Sequence, residues 1–303
     1  MNTKKKRSVL ILLLVLVVLF GVYFGMQAWN KNQEKKQSAK EESETIYVTD
    51  YKSLTGISYD VGQGKFTFAK EDDAWTYTQD KDFPLAQTYP KQMETDFAKM
   101  KAERELDNKD SLADYGLEEP AYTVELTGDD GSKTEVYFGN AVGDDYYVTT
   151  GDKQKVFTVS NTVISDLQYG LDDMAQLDTF PTVGSGNLKK ETVTQNGTQT
   201  VYDSENTDDE EKIAAAAGGL GAVTLDTAAD YSVDDKDLAG YGLDEGSRIT
   251  VEVNYTKDKK DKTLMLYIGS EDGSGNRYIM MNDSRIVYLI SNEVCGNITQ
   301  TSL

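Results

Sequence analysis

Residues 112–119 read LADYGLEE and residues 238–245 read LAGYGLDE, so one eight-residue segment stands twice in the chain, 126 positions apart. Such an echo predicts that one structural unit is present twice. Residues shared by both copies are then expected to serve the architecture. Tyr115 and Tyr241 are accordingly interpreted as parts of a turn, in which Gly116 and Gly242 adopt positive φ.

The segments before the echo predict a hairpin in each copy. Residues 66–68 and 75–77 align with residues 191–193 and 200–202 at an offset of 125. The turn is at 71–73 in the first copy and at Asn196-Gly197 in the second. Asn-Gly is the strongest short hairpin signal, because a type I′ turn needs positive φ at both central residues.

A helix follows each hairpin in the predicted order. Its apolar residues are spaced by four and then three positions, which places them on one face. They are Met93, Phe97 and Met100 in the first copy and Ile213, Ala217 and Leu220 in the second. The pair Gly218-Gly219 is expected to weaken the second helix near its end.

After the echo, alternating apolar and polar residues predict antiparallel strands. The matched segments are 122–126 with 249–253, 135–139 with 265–269, 146–148 with 277–279, and 156–163 with 287–294. Ser160-Asn161 and Ser291-Asn292 are interpreted as N-caps of a short closing helix.

These patterns predict an α+β fold of two tandem repeats, each with a hairpin, a helix, antiparallel strands and a short helix. We place the first repeat unit at 45–174, a linker at 175–186 and the second repeat unit at 187–303. The order is not a strict βαβ alternation, which disfavours a nucleotide-binding parallel sheet.

The N-terminal region predicts a membrane anchor. A basic tail at 1–8 precedes an apolar run at 9–29, which reaches about 30 Å as a helix and is long enough to span a membrane. The positive cluster orients the tail toward the cytoplasm and the rest of the chain outside. Residues 30–44 resemble a solvated stalk. A cleaved signal peptide is the alternative, and it leaves the chain on the same side of the membrane.

Composition excludes several classes of function. The net formal charge is −21, so bulk electrostatics oppose binding to nucleic acid or anionic lipid headgroups. The chain has no histidine, which rules out Ser-His-Asp and Cys-His nucleophile arrangements and imidazole ligands for zinc. Cys295 is the single cysteine and is interpreted as a small buried side chain, since it falls opposite Ile164 in the repeat alignment.

Three acidic segments and one tryptophan are weighed as candidate sites. The stretch at 203–211 carries oxygen ligands suited to calcium but lacks the spacing of a calcium-binding loop. Residues 129–131 and 271–275 are interpreted as turns between strands. Trp75 stands in a repeated hairpin and is expected to pack in the core rather than to stack a sugar. We assign no catalytic residue, no cofactor site and no metal site.

The chain resembles the bacterial domain-of-unknown-function family 4340. The resemblance rests on the N-terminal anchor, on Trp75 closing the first hairpin, and on LADYGLEEP at 112–120 followed by Phe-Gly and a Tyr-Tyr-Val strand. The family usually has Asp-Pro-Pro after Tyr-Gly-Leu. Here Glu119-Pro120 keeps one proline and Glu245-Gly246 keeps none, so the second copy diverges.

The resemblance implies a membrane-tethered envelope protein found alongside ABC-type export or gliding-type transport components, with no established activity. The leading hypothesis is therefore a non-catalytic interaction or accessory module, with the membrane and envelope or ABC transporter proteins as partners. The alternative is a cell-wall glycan-binding protein or hydrolase that uses Trp75, exposed tyrosines and a carboxylate pair. Calcium-dependent stabilisation is a third hypothesis.

Overall fold

A computed structural model describes residues 45–60, 64–106 and 110–300, together with the helical residues Tyr23, Met26, Gln27, Trp29, Asn30, Lys31 and Gln33. The predicted cytoplasmic tail and most of the predicted membrane helix and stalk lie outside the described residues. Within the part of the chain that is described, no helix has the length and apolar composition that crossing a membrane requires.

Strands dominate the described chain. They are β1 (Leu54–Asp60), β2 (Lys65–Glu71), β3 (Ala74–Tyr77), β4 (Arg104–Glu105), β5 (Tyr122–Gly128), β6 (Lys133–Val142), β7 (Asp145–Thr150), β8 (Phe157–Ser160), β9 (Leu188–Gln195), β10 (Thr198–Asp203), β11 (Ala228–Asp230), β12 (Ile249–Lys257), β13 (Lys260–Glu271), β14 (Asn276–Met281) and β15 (Val287–Ser291).

Between residues 45 and 300, the helices of the described chain are few and short. They are α1 (Thr88–Ala98), α2 (Thr162–Ser165), α3 (Leu171–Met174), α4 (Glu210–Gly221) and α5 (Asn292–Thr299), with 3₁₀ turns at Asp166–Gln168, Thr207–Asp209 and Leu238–Tyr241.

The strands form two antiparallel sheets. The first has the order β3-β2-β1-β5-β6-β7-β8-β4 and the second the order β10-β9-β12-β13-β14-β15-β11. The fold is thus mixed α and β, with two antiparallel sheets and few helices, as the alternating patterns predicted.

Two compact units divide the chain. One comprises residues up to Leu54 together with Glu94–Ser165, and the other comprises Thr55–Met93 with Asp166–Leu303. The first unit buries Phe97 and Met100 with the inward residues of its strands, and the rings of Phe97 and Phe138 meet edge to face at 6.4 Å. The predicted apolar face of the first helix is confirmed for Met93 and Phe97, which are buried on α1, whereas Met100 is buried but lies beyond the end of the helix at Ala98.

The second unit has its main core between the seven-stranded sheet and the helices α4 and α5. Ile213, Ala217 and Leu220 are buried there, which confirms the predicted apolar face of the second helix. Ser291 is the N-cap of α5 as predicted, and its Oγ accepts the Val294 N–H at 3.3 Å.

Asp178 is bound within this second unit by the hydroxyl groups of Tyr288 and Ser284. Tyr288 is fully buried, and its hydroxyl donates to Asp178 Oδ2 at 3.0 Å and accepts the Asp178 N–H at 2.8 Å. Burial and the Asp178 carboxylate raise the pKa of Tyr288. Ser284 Oγ donates to the same carboxylate.

Three strands were missed by the sequence patterns. β4 and β11 contain two and three residues, too few for any alternation to be recognised. β1 is longer, but its burial does not alternate, because Ile57, Ser58 and Tyr59 are buried in succession.

Candidate functional site

The two Tyr-Gly-Leu segments form the same turn, as predicted. Gly116 has φ of 70° and Gly242 has φ of 65°, a region that favours glycine. The Gly116 N–H donates to the carbonyl three residues earlier at 3.0 Å, and the Gly242 N–H does so at 3.1 Å. Each turn is therefore a tight structural element with its backbone groups satisfied.

Each turn packs against a glycine of the second strand after it, on β6 in the first copy and on β13 in the second. A Cβ at Gly139 would lie 2.1 Å from the Tyr115 carbonyl oxygen, and one at Gly269 would lie 2.2 Å from the Tyr241 carbonyl oxygen. No larger residue fits at these distances. The glycines of β6 and β13 are thus required for the turns to dock.

A small apolar cluster surrounds each turn. In the first compact unit, Tyr115, Leu117 and Val156 are buried, and the Tyr115 ring lies 4.7 Å from the Tyr147 ring. The cluster of the second compact unit is built from Val233, Leu243, Met280 and Val287, with Leu238, Tyr241, Tyr267 and Tyr278 packed against it. The repeated tyrosines therefore serve packing.

Tyr241 also donates to Asp230 Oδ2 at 2.8 Å. Partial burial and this bond raise the pKa of Tyr241 to about 12, so the phenol stays protonated at neutral pH and acts as a donor. The contact ties the second turn to β11.

Cys295 and Trp75 are both core residues, as predicted. Each side chain is 1 % exposed. Burial raises the pKa of the Cys295 thiol to about 11, which keeps it protonated and unreactive at neutral pH. A ring as enclosed as that of Trp75 offers no face to a sugar, so the glycan hypothesis loses its proposed stacking residue.

The acidic segments at 129–131 and 271–275 are turns, as predicted, and each is held by its own carboxylate. Asp130 Oδ1 accepts the Ser132 N–H at 2.9 Å, and Asp272 Oδ1 accepts the Ser274 N–H at 2.7 Å. Hydrogen bonds to Ser132 and to Asn276 are the main reason that the pKa values of Asp130 and Asp272 are lowered.

The second hairpin, β9–β10, is the candidate site, because its side chains differ from those of the corresponding hairpin in the first copy. Both hairpins turn through residues with positive φ, namely Asp72 and Asp73 in one and Asn196 and Gly197 in the other. This confirms the prediction for Asn196-Gly197. The differences lie in a buried carboxyl on β9 and in the acidic segment that follows β10.

Glu191 is the buried carboxyl of this site. Its side chain is fully buried, and neither carboxylate oxygen has a hydrogen-bond partner among the described residues. It lies opposite Tyr202 on β10 and Val253 on β12. Desolvation raises the pKa of Glu191 to about 8, so the carboxyl is predominantly neutral at pH 7.

Sequence reasoning missed Glu191, although the repeat alignment contains the signal. At the offset of 125, Glu191 aligns with Phe66, a buried aromatic residue on β2. A carboxyl that aligns with a core phenylalanine is a departure worth testing, because charged side chains are rarely buried without a partner.

The acidic segment at 203–211 caps the end of β10. Asp209 Oδ2 accepts the Asp203 N–H at 3.1 Å and the Asn206 side-chain amide at 2.9 Å. Asn206 in turn caps the 3₁₀ turn at Thr207–Asp209. Four further acidic residues at this end of the hairpin are exposed, namely Glu205, Asp208, Glu210 and Glu211.

Across the described chain, no three acidic or sulfur side chains converge as a metal site would require. The calcium hypothesis for 203–211 therefore has no converging ligand set among those residues to rest on.

The model of the family described as "Domain of unknown function (DUF4340)" matches residues 75–231 and 203–296. No curated protein and no solved structure matches the chain significantly. Because the family matches extend over most of the chain, this protein belongs to the DUF4340 family, as the Tyr-Gly-Leu segments and Trp75 indicated.

Proposed function

We propose that this protein is a non-catalytic interaction module, tethered to the cell membrane by its N-terminal helix and facing outward, beside an ABC-type export or gliding-type transport system. The observation that carries the proposal is the difference between the two hairpins. The first is closed by a packed tryptophan, whereas the second presents exposed residues along β10 and a cluster of carboxylates at its end.

We further infer that the chain carries one architectural unit twice. The two sheets have the same strand order once β1 is left aside, with β3, β2, β5, β6, β7, β8 and β4 corresponding to β10, β9, β12, β13, β14, β15 and β11. The Tyr-Gly turns and their apolar clusters recur at matching positions. Duplication supports a scaffolding role, since the recurring residues serve packing and the divergent ones remain for recognition.

The tether is supported by the sequence alone. Lys4, Lys5, Lys6 and Arg7 precede an apolar run at 9–29, and the following residues carry the acidic charge of the chain. This polarity corresponds to a cytoplasmic N-terminus and an extracytoplasmic remainder.

Crosslinking in native membranes, followed by mass spectrometry, tests the proposal. We expect the full-length protein to be recovered from the membrane fraction with transport or envelope proteins attached. A variant that lacks residues 1–29 and is exported by a cleavable signal is the control, and it should leave the membrane fraction. Recovery of the full-length protein alone would count against an interaction module.

A further inference from the structure

Strand β10 is an edge strand whose outward backbone groups are directed to solvent. It pairs with β9 on one side, and it ends the seven-stranded sheet on the other. Residues 198–201 are all exposed, and Val201 keeps 45 % of its surface accessible.

The pairing register identifies the outward groups. Asn196 and Gly197 form the two-residue turn, so the flanking pair Gln195–Thr198 is hydrogen-bonded and every second pair after it is too. Gln199 and Val201 lie between these pairs, and their N–H and C=O groups point away from β9. Asp203 has the same parity, and its N–H is indeed donated outward, to Asp209 at 3.1 Å.

The first hairpin shows what a closed edge looks like in this chain. Trp75 occupies the corresponding outward position on β3, because the pair Glu71–Ala74 closes that turn. The Gln87 side chain accepts the Trp75 N–H at 2.8 Å and donates to the Trp75 carbonyl at 2.8 Å. One amide side chain thus replaces a neighbouring strand. On β10, no described residue makes an equivalent bond to Gln199 or Val201.

The negative charge around β10 favours a basic partner segment over a second copy of this chain. Six carboxylates stand at its end, at positions 203, 205, 208, 209, 210 and 211, against three lysines, Lys189, Lys190 and Lys212. Among the described residues, none of these six carboxylates forms an ion pair. A second copy would bring the same acidic segment and a net charge of −21, which opposes self-pairing.

We propose that the β10 edge binds an extended, lysine- or arginine-containing segment of a partner protein by strand addition. This inference rests on the proposed interaction function and names its docking surface. The added strand hydrogen-bonds to Gln199 and Val201, and its basic residues lie near 203–211. An antiparallel arrangement continues the sheet and places the basic residues at the amino end of the bound segment.

The test measures binding of the full-length protein, purified in detergent, to a fluorescein-labelled peptide. The probe carries two lysines at its amino end, followed by alternating threonine and valine. We expect saturable binding that weakens with added salt, and weaker binding of a peptide of reversed sequence. Methylation of alternate peptide nitrogens should weaken binding by about tenfold while leaving the protein unaltered.

Val201→Pro is the matched change in the protein. It removes an N–H that points away from β9, a position where an edge strand tolerates proline, so the melting temperature should change little. We expect about tenfold weaker binding, whereas Val201→Thr, which keeps the N–H, should bind as the unaltered protein does. If the proline variant is unstable, the N-methylated peptide still tests the backbone hydrogen bonds, because it is bound to the unaltered protein.

Three outcomes would overturn the docking surface: no binding by the unaltered protein, equal binding of the N-methylated peptide, or dimers that Val201→Pro dissociates. The proposed function is judged separately. If membrane crosslinking recovers partners but the peptide does not bind, the protein still has an interaction function. The docking surface is then somewhere other than the β10 edge.

Discussion

Glu191 lies on β9 with a fully buried side chain, and its pKa is raised to about 8 by desolvation. Between the usual pKa of glutamate and this raised value, the folded chain keeps a proton that the unfolded chain has lost. Stability is therefore highest at low pH with respect to this group and falls as the pH rises toward 8.

Replacing Glu191 by glutamine should remove this dependence. We expect the unaltered protein to lose about 3 kcal/mol of unfolding free energy from this group between pH 5 and pH 8, and Glu191→Gln to lose far less. Urea unfolding at several pH values measures the difference. Glu252→Gln, on the neighbouring strand β12, is a control with a half-buried carboxyl. If the unfolding free energy of the unaltered protein and that of Glu191→Gln change with pH to the same extent, the prediction is contradicted.

At the scale of elements, the outer strands of the two hairpins differ in the hydrogen-bond partners of their backbone groups. Gln87 stands directly before α1, and its side chain binds the N–H and the carbonyl of Trp75. The edge of β3 is therefore covered only when α1 begins at this position. The position of α4 against α5 is likewise decided by one small residue. A Cβ at Gly219 would lie 2.9 Å from both the Ile298 side chain and its backbone nitrogen.

Removing the Gln87 side chain should leave the Trp75 N–H and carbonyl without these partners. We expect Gln87→Ala to lower the unfolding free energy by about 2 kcal/mol, since its two partly buried hydrogen bonds to Trp75 and a longer one to the Leu85 carbonyl are lost. Gln79→Ala is the control, because the Gln79 amide makes an exposed bond to the Lys65 carbonyl. Equal stability of the two variants in urea unfolding would argue that the edge of β3 does not need its cap.

The adjacent glycines of α4 should respond in opposite directions to alanine. Gly218→Ala meets nothing within 4 Å and should stabilise the protein by up to about 1 kcal/mol, as helix propensity predicts. Gly219→Ala should destabilise it by about 1–3 kcal/mol, because α5 has to move. Thermal unfolding of both variants measures the effect. Stabilisation by Gly219→Ala would show that the two helices are less closely packed.

The helix α4 continues through Gly218-Gly219 to Gly221, and the weakening predicted for this pair stays a prediction. Low helix propensity at Gly219 accompanies a close approach to Ile298, which no residue with a Cβ would allow at this distance.

For the whole molecule, the net formal charge of −21 is the dominant electrostatic property. The ion pairs of the described residues add little stability against it, since most of their side chains are exposed, as in Lys236–Asp234 at 75 % and 59 % exposure. Self-repulsion therefore destabilises the compact state at low ionic strength.

Raising sodium chloride from about 10 mM to about 0.5 M should increase the melting temperature by roughly 2–6 °C through screening of this repulsion. Sucrose at equal osmolarity is the control for non-ionic stabilisation. Calcium and magnesium at equal ionic strength should raise the melting temperature alike. A larger shift with calcium would instead support specific binding at 203–211.

The local elements of this protein follow from its sequence. The Asn196-Gly197 turn, the buried faces of α1 and α4, and the N-cap at Ser291 depend on residues within a few positions of one another. Their chemistry is local, since positive φ, helical spacing and capping bonds act over a turn or less. The repeated Tyr-Gly-Leu segment likewise locates the two tight turns, because glycine at its centre permits the positive φ that each turn needs.

Tertiary structure alone decided the strand order and the presence of β1, β4 and β11. It also decided that the outer edge of β3 is covered and that of β10 is open. In the same way, it decided that Gln87 closes the edge of β3 and that Gly219 lies against Ile298. The burial of Glu191 is decided there too, and its alignment with the buried Phe66 is a signal from the distant copy rather than from its own neighbours. These properties depend on which distant segments pack together. Burial, desolvation and edge pairing are set by such neighbours, and a local pattern carries no information about them.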